Sequence, residues 1–421
     1  MDPDKLTTEQ QQELQRQWDV ISRGTVDLLP EDELKAKLAG FITGERGPLR
    51  IKQGFDPTSP DIHLGHTVGI RKLKQFQDLG HQVVLIVGDY TAMVGDPSGR
   101  SATRPQLTYD EILRHAETYQ EQFFKLLDKA KTEVLFNGDW FKKLEFLDIM
   151  NLASRYTVAR LLERDDFAKR MKANTPIAVH ELFYPLMQAY DSYAMRADVE
   201  LGATEQTFNL LAGRTIQEGF GMEPQCILTM PILVGTDGEK KMSKSLGNYI
   251  GIDESPREMF GKTMSIPDNV MYDYFVLATD VTAEKLEDIK QRMAQPDVNP
   301  MLVKKELGET LVDLYHPKGS GRGARDEFER VFSQKQLPDD MPEITPAGIK
   351  ELDLNPEAVY LVGLIARTKM SKSNSEARKL IQAGSVSIDG EKVTDVGFEF
   401  PLDHEMILKV GKRRFLRLKT D

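Results

Sequence analysis

The sequence predicts an α/β fold with a doubly wound parallel sheet, and two kinds of pattern support that prediction. Val83–Val87 is a short, apolar, β-branched run bounded by Gly88, as expected of a strand covered on both faces. Residues 132–136 and 226–234 have the same character. Helical patterns separate these runs, and strands that alternate with helices form parallel sheets with ligands at their carboxyl ends. The helical patterns cover residues 67–79, 109–128, 180–196 and 206–219.

The segments before and after this predicted sheet have different sequence patterns. Residues 9–20 and 30–38 have amphipathic helical patterns, and residues 256–332 are mostly helical in pattern. Residues 337–355 are rich in Pro and acidic side chains, which is typical of a linker. The predicted segments are an N-terminal helical extension (1–45), a Rossmann-like domain (46–250), a helical domain (251–335), a linker (336–356) and a small α+β domain (357–421).

Composition excludes several classes of protein. Of the 421 residues 40% are apolar and 29% are charged, and no apolar run approaches the roughly 18 residues of a membrane helix. We therefore expect no membrane partner, and the N-terminus lacks the pattern of a signal peptide. A single cysteine, Cys226, cannot form an intrachain disulfide, so we expect a reducing, cytoplasmic compartment. Because the net charge is −11, a nucleic acid would have to contact a local basic patch.

The carboxyl-terminal residues contain such a patch. Residues 361–421 hold twelve Lys and Arg against eight Asp and Glu, whereas the rest of the chain has a net charge of −15. The candidate RNA contacts are Arg378 and Lys379 on one predicted helix, and Lys412, Arg413 and Arg414 near the end. A solvated charged helix is the alternative interpretation.

Residues 56–66 follow the first predicted strand and open a helix. His63 and His66 are three residues apart, which places them on one helix face beside free backbone N–H groups. Neutral imidazoles there could hold the β- and γ-phosphates of ATP, and Gly65 leaves room for an adenine ring. Two surface histidines at a helix cap are the alternative.

A second motif, Lys241-Met242-Ser243-Lys244-Ser245, follows another predicted strand. Two lysines three residues apart among hydroxyl side chains form a cationic loop suited to a polyphosphate. Together the two motifs on a doubly wound sheet resemble the signature of class I aminoacyl-tRNA synthetases. The same pentapeptide recurs at 369–373, where no predicted strand accompanies it, so we predict that the second copy is not catalytic.

Longer segments narrow the resemblance to the bacterial tyrosyl-tRNA synthetases over nearly the whole chain. They are residues 54–58, 88–100, 184–192 and 241–248, which read GFDPT, GDYTAMVGDPSGR, YPLMQAYDS and KMSKSLGN. Tyr184, Gln188 and Asp191 are spaced i, i+4 and i+7, which places them on one helix face. Such a stripe is usually core packing, but a buried Gln and Asp need polar partners, which a bound amino acid would supply.

The resemblance implies an activity and its partners. It implies a tyrosine–tRNA ligase that converts L-tyrosine and ATP to tyrosyl-adenylate and pyrophosphate, and then loads the 3′ end of tRNA(Tyr). It also implies a homodimer, and we expect its apolar face within residues 144–161. We expect Mg²⁺ to arrive with ATP and no metal to be bound by the protein. The basic tail is similar to an S4 RNA-binding domain.

The resemblance also implies roles for individual residues. The tyrosine-binding residues are Asp96, Tyr184 and Gln188 for the ammonium group, Asp191 for the phenol, and Gln206. The ATP-binding residues are Gly54, Asp56, Gly65, Glu205 and Ser245. The catalytic residues are Thr58, His63, His66, Arg100, Arg104, Lys241 and Lys244; Arg100 and Arg104 match positions on a loop that closes in the transition state.

Two positions depart from the family pattern. Many members have a Tyr two residues before Gly54 as a second phenol partner; here the residue is Lys52, so that partner stays open. Residues 202–206 read Gly-Ala-Thr-Glu-Gln, so Glu205 carries the expected ribose carboxylate on a side chain one methylene longer than the usual Asp. Three other interpretations stay open: a tryptophanyl-type synthetase, a non-catalytic RNA-binding paralogue and a small adenylyltransferase.

Overall fold

The computed structural model describes residues 6–57, 62–95, 108–295, 297–332, 341–411 and 414–420. The chain divides into two units, Met1–Gly321 and Arg322–Asp421. Each unit has its own sheet. No helix among the described residues is long and apolar enough to cross a membrane.

A mixed sheet forms the centre of the first unit. Its strands are β1 (Asp27–Leu29), β2 (Arg50–Phe55), β3 (Gln82–Val87), β4 (Thr132–Phe136), β5 (Val199–Ala203) and β6 (Cys226–Met230). They lie in the order β1-β6-β5-β2-β3-β4, and the pairs from β6 to β4 are parallel. The prediction of a doubly wound parallel sheet is therefore confirmed, and an antiparallel edge strand, β1, is added to it.

Helices cover both faces of this sheet, as its apolar strands require. The helices before and between the strands are α1 (Thr8–Ser22), α2 (Glu31–Ile42), α3 (Leu64–Asp78), α4 (Thr91–Val94), α5 (Tyr109–Phe123), α6 (Gly138–Phe141), α7 (Phe146–Ala153), α8 (Val158–Leu161), α9 (Asp165–Lys172), α10 (Val179–Ala194) and α11 (Thr207–Gly219). The four helical patterns predicted from the sequence correspond to α3, α5, α10 and α11. In β3 and β6 every residue but Gln82 is buried.

The order of the strands fixes where a ligand can bind. From β2 the chain runs outward to β3 and β4, and it then returns to β5 on the other side of β2. The carboxyl ends of β2 and β5, at Phe55 and Ala203, therefore flank the point where the winding reverses. A crevice opens at this point in doubly wound sheets, and ligands bind there.

The N-terminal segment is part of the first unit. Its strand β1 pairs with β6, with Leu28 opposite Leu228, which the prediction of a purely helical extension did not include. Lys72 on α3 is 2% exposed and donates from Nζ to the carbonyls of Val20 (3.0 Å), Ile21 (2.8 Å) and Arg23 (2.9 Å). These are carbonyls at the end of α1 that lack partners within the helix. Lys72 thus joins α1 to α3.

Helices dominate after the sheet, as predicted. They are α12 (Pro256–Thr263), α13 (Met271–Ala278), α14 (Ala283–Ala294), α15 (Pro300–Tyr315) and α16 (Ser320–Phe332). One contact bears on the site: the Tyr315 hydroxyl on α15 lies 3.2 Å from Thr67 Oγ1 near the start of α3.

The second unit is a small α+β structure, as predicted for the tail. Its elements are β7 (Glu343–Ile344), α17 (Pro346–Glu351), β8 (Val359–Tyr360), α18 (Leu361–Arg367), α19 (Asn374–Gln382), β9 (Val386–Ile388), β10 (Glu391–Val393), β11 (Glu399–Phe400), β12 (Met406–Val410) and β13 (Arg414–Leu418). The five-stranded sheet has the order β10-β9-β12-β13-β7. Residues 343–351, within the segment predicted as a linker, are folded here, and Ile349 is in the core.

Candidate active site

The carboxyl end of β2 presents an aspartate held by two neighbours. Asp56 Oδ1 accepts a hydrogen bond from Thr91 Oγ1 (2.8 Å), and Oδ2 accepts one from the Tyr184 hydroxyl (2.8 Å). A Cβ at Gly88 would overlap both Asp56 Oδ1 and Thr91 Oγ1, so only glycine fits there. Asp56 is therefore fixed at the crevice edge beside Gly54, between α4 and α10.

The two predicted histidines lie together at the start of α3. The rings of His63 and His66 stack with centroids 3.8 Å apart. The backbone N–H of His63 donates to His66 Nδ1 (3.3 Å), so the neutral His66 ring carries its proton on Nε2. A Cβ at Gly65 would lie 3.0 Å from the His63 ring. Gly65 thus leaves room for the imidazole, and its predicted contact with an adenine ring stays a prediction.

Both imidazoles are neutral at physiological pH. Burial, together with smaller contributions from charge repulsion by His66, Lys244 and Lys241, lowers the pKa of His63 to about 3. Burial also lowers the pKa of His66 to about 4, with Lys244 and Lys241 contributing. Neutral rings can donate N–H groups to a phosphate without needing a proton from solvent.

The 241–245 loop lies against the same helix. Met242 is 1% exposed, and its sulfur accepts a hydrogen bond from the Gly65 N–H (3.3 Å). Lys241 Nζ donates to Glu205 Oε2 (2.7 Å), which follows β5. Ser245 Oγ lies 2.9 Å from Ser243 Oγ. The loop therefore bridges the carboxyl end of β5 and the histidine pair, on the two sides of the crevice.

Asn248 shapes this loop from within. Its side chain accepts from the Ser243 N–H (2.8 Å) and donates to Asp237 Oδ2 (2.9 Å). A Cβ at Gly235 would overlap Asn248, so the preceding turn also depends on a glycine. These contacts hold Lys244 close enough to the histidines to depress both of their pKa values.

One face of α10 carries three of the five predicted tyrosine-binding residues, Tyr184, Gln188 and Asp191. Tyr184 is 6% exposed and bonded to Asp56, as described above. Gln188 donates from Nε2 to Glu200 Oε1 (3.1 Å) and accepts from Asn209 Nδ2 (2.8 Å). The side chain of Gln206, after β5, accepts from the Ala203 N–H (3.0 Å). Both glutamine amides therefore have defined orientations.

Asp191 lies deeper on the same face and is 4% exposed. Its Oδ1 accepts from Trp140 Nε1 (2.9 Å), and its Oδ2 accepts from Asn137 Nδ2 (3.3 Å). Burial raises the pKa of Asp191 to about 7, against the lowering effects of Lys52, Asn137 and Trp140. A carboxylate accepts more hydrogen bonds than these two, which leaves capacity for a phenol.

Lys52 occupies the position where the resemblance led us to look for a second phenol partner, and its own partners are other groups of the chain. Its side chain is fully buried, and Nζ lies 2.8 Å from Glu200 Oε1. Nζ also donates to the Gln188 carbonyl (2.8 Å) and to Ser192 Oγ (2.7 Å). Lys52 therefore packs beneath α10 with its ammonium group fully paired.

Several predicted residues lie outside the described residues: Thr58, Asp96, Arg100, Arg104, Lys412 and Arg413. The others are brought to one edge of the sheet, except for the RNA candidates of the second unit. There Arg378 and Lys379 are exposed on α19, and Arg414 donates to the Met370 carbonyl. Among the described residues, no group of three or more His, Cys, Asp or Glu side chains could hold a metal.

Comparisons with known proteins identify the family. A model described as tRNA synthetases class I (W and Y) matches residues 44–333. A second, described as the tyrosine–tRNA ligase SYY-like C-terminal domain, matches residues 335–418. A tyrosine–tRNA ligase of Moorella thermoacetica is 53% identical, with 97% of each chain covered. The chain belongs to the tyrosine–tRNA ligase family.

Other tyrosine–tRNA ligases extend this similarity. The ligase of Thermotoga maritima is 49% identical, with 95% of this chain and 96% of that protein covered. A solved tyrosyl-tRNA synthetase of Archaeoglobus fulgidus, complexed with L-tyrosine, has a TM-score of 0.60 at 23% identity and covers 74% of this chain and 99% of its own. A truncated mitochondrial enzyme of Aspergillus nidulans has a TM-score of 0.62 at 19% identity, covering 77% and 99%. These two structures share the fold.

The activity of a tyrosine–tRNA ligase is thereby established for the chain. The ligases of this family bind tyrosine, ATP and tRNA, and their reaction depends on ATP. The family predicted from the motifs is confirmed. The matching relatives favour none of the three other interpretations considered from the sequence.

The second copy of the pentapeptide, residues 369–373, has a different environment. Met370 and Ser371 are buried in the second unit, and Lys369 has a φ of 58°. Ser373 caps α19 by accepting a hydrogen bond from the Glu376 N–H (3.3 Å). These residues build a turn and a helix start, which supports the prediction that this copy is not catalytic.

Four polar residues that contact the candidate site residues had no predicted role: Thr91, Asn137, Trp140 and Asn248. Asn137 and Trp140 directly follow β4, as Thr91 closely follows β3. Polar side chains just beyond the carboxyl ends of predicted parallel strands were the available signal. Asn248 lies within the segment 241–248 that carries the family resemblance, but no role was predicted for its side chain.

Proposed function

We propose that the crevice between the carboxyl ends of β2 and β5 is where the chain activates L-tyrosine with ATP. The observation that supports this most is the meeting of His63 and His66 with the lysine loop, through the hydrogen bond from Gly65 to Met242. Two neutral N–H donors and two cations converge there, as an anionic polyphosphate requires. The Tyr184–Asp191 face of α10 is joined to the carboxyl end of β2 by the hydrogen bond from Tyr184 to Asp56 (2.8 Å).

The first step of the proposed mechanism needs no general base. A carboxylate oxygen of tyrosine attacks the α-phosphorus of ATP, the bond to the bridging oxygen breaks, and pyrophosphate leaves. The carboxylate is already ionised at neutral pH. What the protein supplies is alignment of the two reactants and stabilisation of the charge on the transferring group.

We assign the phosphate groups to residues on both sides of the crevice. Thr58 and His63 are proposed to bind the terminal phosphate, and His66 to act nearer the ribose. Lys241 and Lys244 would bind the pyrophosphate as it leaves, together with Arg100 and Arg104. Lys241 Nζ donates to Glu205 Oε2 (2.7 Å), so a phosphate that binds Lys241 would replace this contact and free Glu205 for the ribose hydroxyls.

The proposed tyrosine contacts come mainly from side chains on α10. The substrate ammonium would be bound by Asp96, Tyr184 and Gln188, and the phenol would donate to Asp191. In the second step, a terminal ribose hydroxyl of tRNA(Tyr) attacks the carbonyl carbon of the adenylate, and AMP leaves. ATP would enter as its Mg²⁺ complex.

Tyrosine-dependent exchange of pyrophosphate into ATP tests this proposal. We expect exchange with L-tyrosine in the absence of tRNA, and no exchange with L-tryptophan. The double variant His63→Ala/His66→Ala removes both imidazole donors from the proposed ATP site and should abolish exchange while the far-UV circular dichroism is kept. Exchange that proceeds equally well without tyrosine would overturn the proposal.

The second unit is proposed to bind tRNA through its exposed cations. Replacing Arg378 and Lys379 on α19 with Glu should weaken tRNA(Tyr) binding and leave adenylate formation unchanged. For each phosphate that a cation no longer neutralises, the slope of log affinity against log salt should fall by about 0.7–0.9. Filter binding at several salt concentrations measures this slope, and Lys350→Glu on α17 of the same unit is the control. Unaltered tRNA binding would count against this surface.

We further propose that the chain forms a homodimer through residues 144–161. Phe146 and Leu147 are each 77% exposed there, and Val158 is 59% exposed. Large apolar side chains that remain in water on neighbouring helices mark an interaction surface. Light scattering tests the proposal, with twice 47.7 kDa as the expected mass.

A cytoplasmic location stays part of the proposal and rests on cysteine usage. Cys226 is the single cysteine and lies fully buried in β6. Burial raises the pKa of its thiol to about 11, so it is unreactive as a thiolate. A reducing compartment therefore suits the chain.

A further inference from the structure

An ion pair lies in the interior of the first unit, directly beneath the proposed tyrosine site. The side chains of Lys52 on β2 and Glu200 on β5 are 0% and 1% exposed, with Nζ 2.8 Å from Oε1. These strands are neighbours and flank the point where the winding reverses. The pair thus spans the floor of the crevice.

The pair is attached to one turn of α10. Lys52 donates to the Gln188 carbonyl and to Ser192 Oγ, at 2.8 and 2.7 Å. Glu200 accepts from Gln188 Nε2 at 3.1 Å and from Ser192 Oγ at 3.0 Å, and also from Gln225. Asp191 lies within the turn that these contacts hold.

Burying a charged pair such as this one costs free energy of folding. Two charges lose their hydration when they are buried, and an apolar pair of the same volume often stabilises a fold as well or better. The contacts of Lys52 and Glu200 converge on the turn of α10 that carries Gln188 and Asp191, the residues proposed to read the two ends of the substrate. A role in holding Gln188 and Asp191 in place would explain why a charged pair is buried at this position.

We propose that Lys52 and Glu200 are positioning residues for the substrate tyrosine, which orient Gln188 toward its ammonium group and set the charge of Asp191 opposite its phenol. This inference rests on the proposed tyrosine site. Neither residue touches the substrate in this arrangement. Both act through α10, and Lys52 thereby takes a role different from that of the phenol partner found at its position in many relatives.

The groups that face Asp191 give the two residues opposite effects. Lys52 on β2 favours the ionised carboxylate, whereas Glu200 on β5 disfavours it. Asn137 and Trp140, which follow β4, favour it through uncharged hydrogen-bond donors. With the Asp191 pKa raised by burial to about 7, small changes in these charges decide whether Asp191 is ionised at neutral pH.

The test is the pH dependence of selectivity for tyrosine over phenylalanine. Pyrophosphate exchange gives kcat/KM for both amino acids between about pH 5.5 and 8.5, and its pH dependence reports the free enzyme. In the unaltered protein we expect selectivity to fall as the pH falls and Asp191 takes up a proton. Lys52→Met should move this fall to higher pH by about one unit or more, the usual effect of removing a nearby opposite charge.

The second variant should shift the pH at which selectivity falls in the opposite direction. Glu200→Gln keeps the shape of the side chain and removes its negative charge. The pH transition in selectivity should then move to lower pH, because the positive charge of Lys52 is no longer opposed. The double variant should return the transition toward that of the unaltered protein, with a raised KM for tyrosine because the turn is held less firmly. A merely structural pair would change KM or stability without shifting the transition in opposite directions.

A matched control separates these effects from loss of a buried lysine. Lys37 on α2 is 3% exposed and donates to the Pro224 carbonyl (2.7 Å), and Lys37→Met should leave the transition in place. Absence of tyrosine-dependent exchange in the unaltered protein would overturn the proposed function itself. Normal exchange with no shift, or with shifts of the same sign in both single variants, would overturn only the role of the pair.

Discussion

Replacing Lys244 with alanine should slow the formation of tyrosyl-adenylate about 100- to 1,000-fold, the usual cost of removing one donor to the charge that develops in a transition state. Lys244 lies near enough to lower the pKa of both His63 and His66, so its charge acts on the proposed phosphate site. The dissociation constant of tyrosine should change little, since tyrosine binds along α10. Single-turnover kinetics and equilibrium titration with tyrosine measure the two quantities.

The duplicated pentapeptide supplies a control for this variant. Lys372 occupies the same place in the second copy as Lys244 in the first, and the neighbouring Met370 and Ser371 are buried in the second unit. Lys372→Ala should therefore leave the rate of adenylate formation unchanged. Parallel losses in tyrosine affinity and rate for Lys244→Ala would contradict the assignment of Lys244 to the pyrophosphate.

Replacing Asp191 with asparagine should reduce the ratio of kcat/KM for tyrosine to that for phenylalanine about 100-fold, because a charge-assisted hydrogen bond to the phenol is removed and one buried donor is left unpaired. Trp140 and Asn137 both donate to Asp191, and an amide has a single acceptor oxygen. The tyrosyl enzyme is itself the reference case for such discrimination, at about 10⁵ against phenylalanine, so that figure describes the family.

Pyrophosphate exchange with each amino acid measures this ratio. Asp198→Asn is the control. Asp198 lies just before the amino end of β5, at the end of the sheet opposite to the candidate site, and it accepts a hydrogen bond from Arg46 (2.6 Å). The control should lower stability and keep selectivity. If Asp191→Asn kept the selectivity of the unaltered protein, the phenol would have to be read elsewhere.

The sheet could be predicted where its strands are apolar on both faces. Residues 83–87 form a buried strand as predicted because no alternative to burial exists for such a run. Residues 132–136 also form a strand as predicted, although each of them is only partly buried. β5 was not identified, since Glu200 interrupts its apolar pattern. The charge is acceptable there only because Lys52 lies on the adjacent strand, and a partner nearly 150 residues away is not visible in a local pattern.

The site could be predicted where spacing along one element determines position. His63 and His66 on α3, and Tyr184, Gln188 and Asp191 on α10, lie as the helical repeat requires. The partners of these residues could not be predicted. Asn137 follows β4, whereas Asp191 is on α10, 54 residues later in the chain. Their contact depends on the order of the strands in the whole sheet, which a local sequence pattern does not show.

The edge strand of the sheet has a consequence for how the protein is made. Asp27 on β1 meets Thr229 on β6, 202 residues later in the chain. A ribosome that adds about 5–20 residues per second needs about 10–40 s to cover that interval. During this time Leu28, which is 7% exposed once β6 is in place, has no strand to pair with. The edge of the first sheet is therefore completed only after β6, the last strand of that sheet, has been translated.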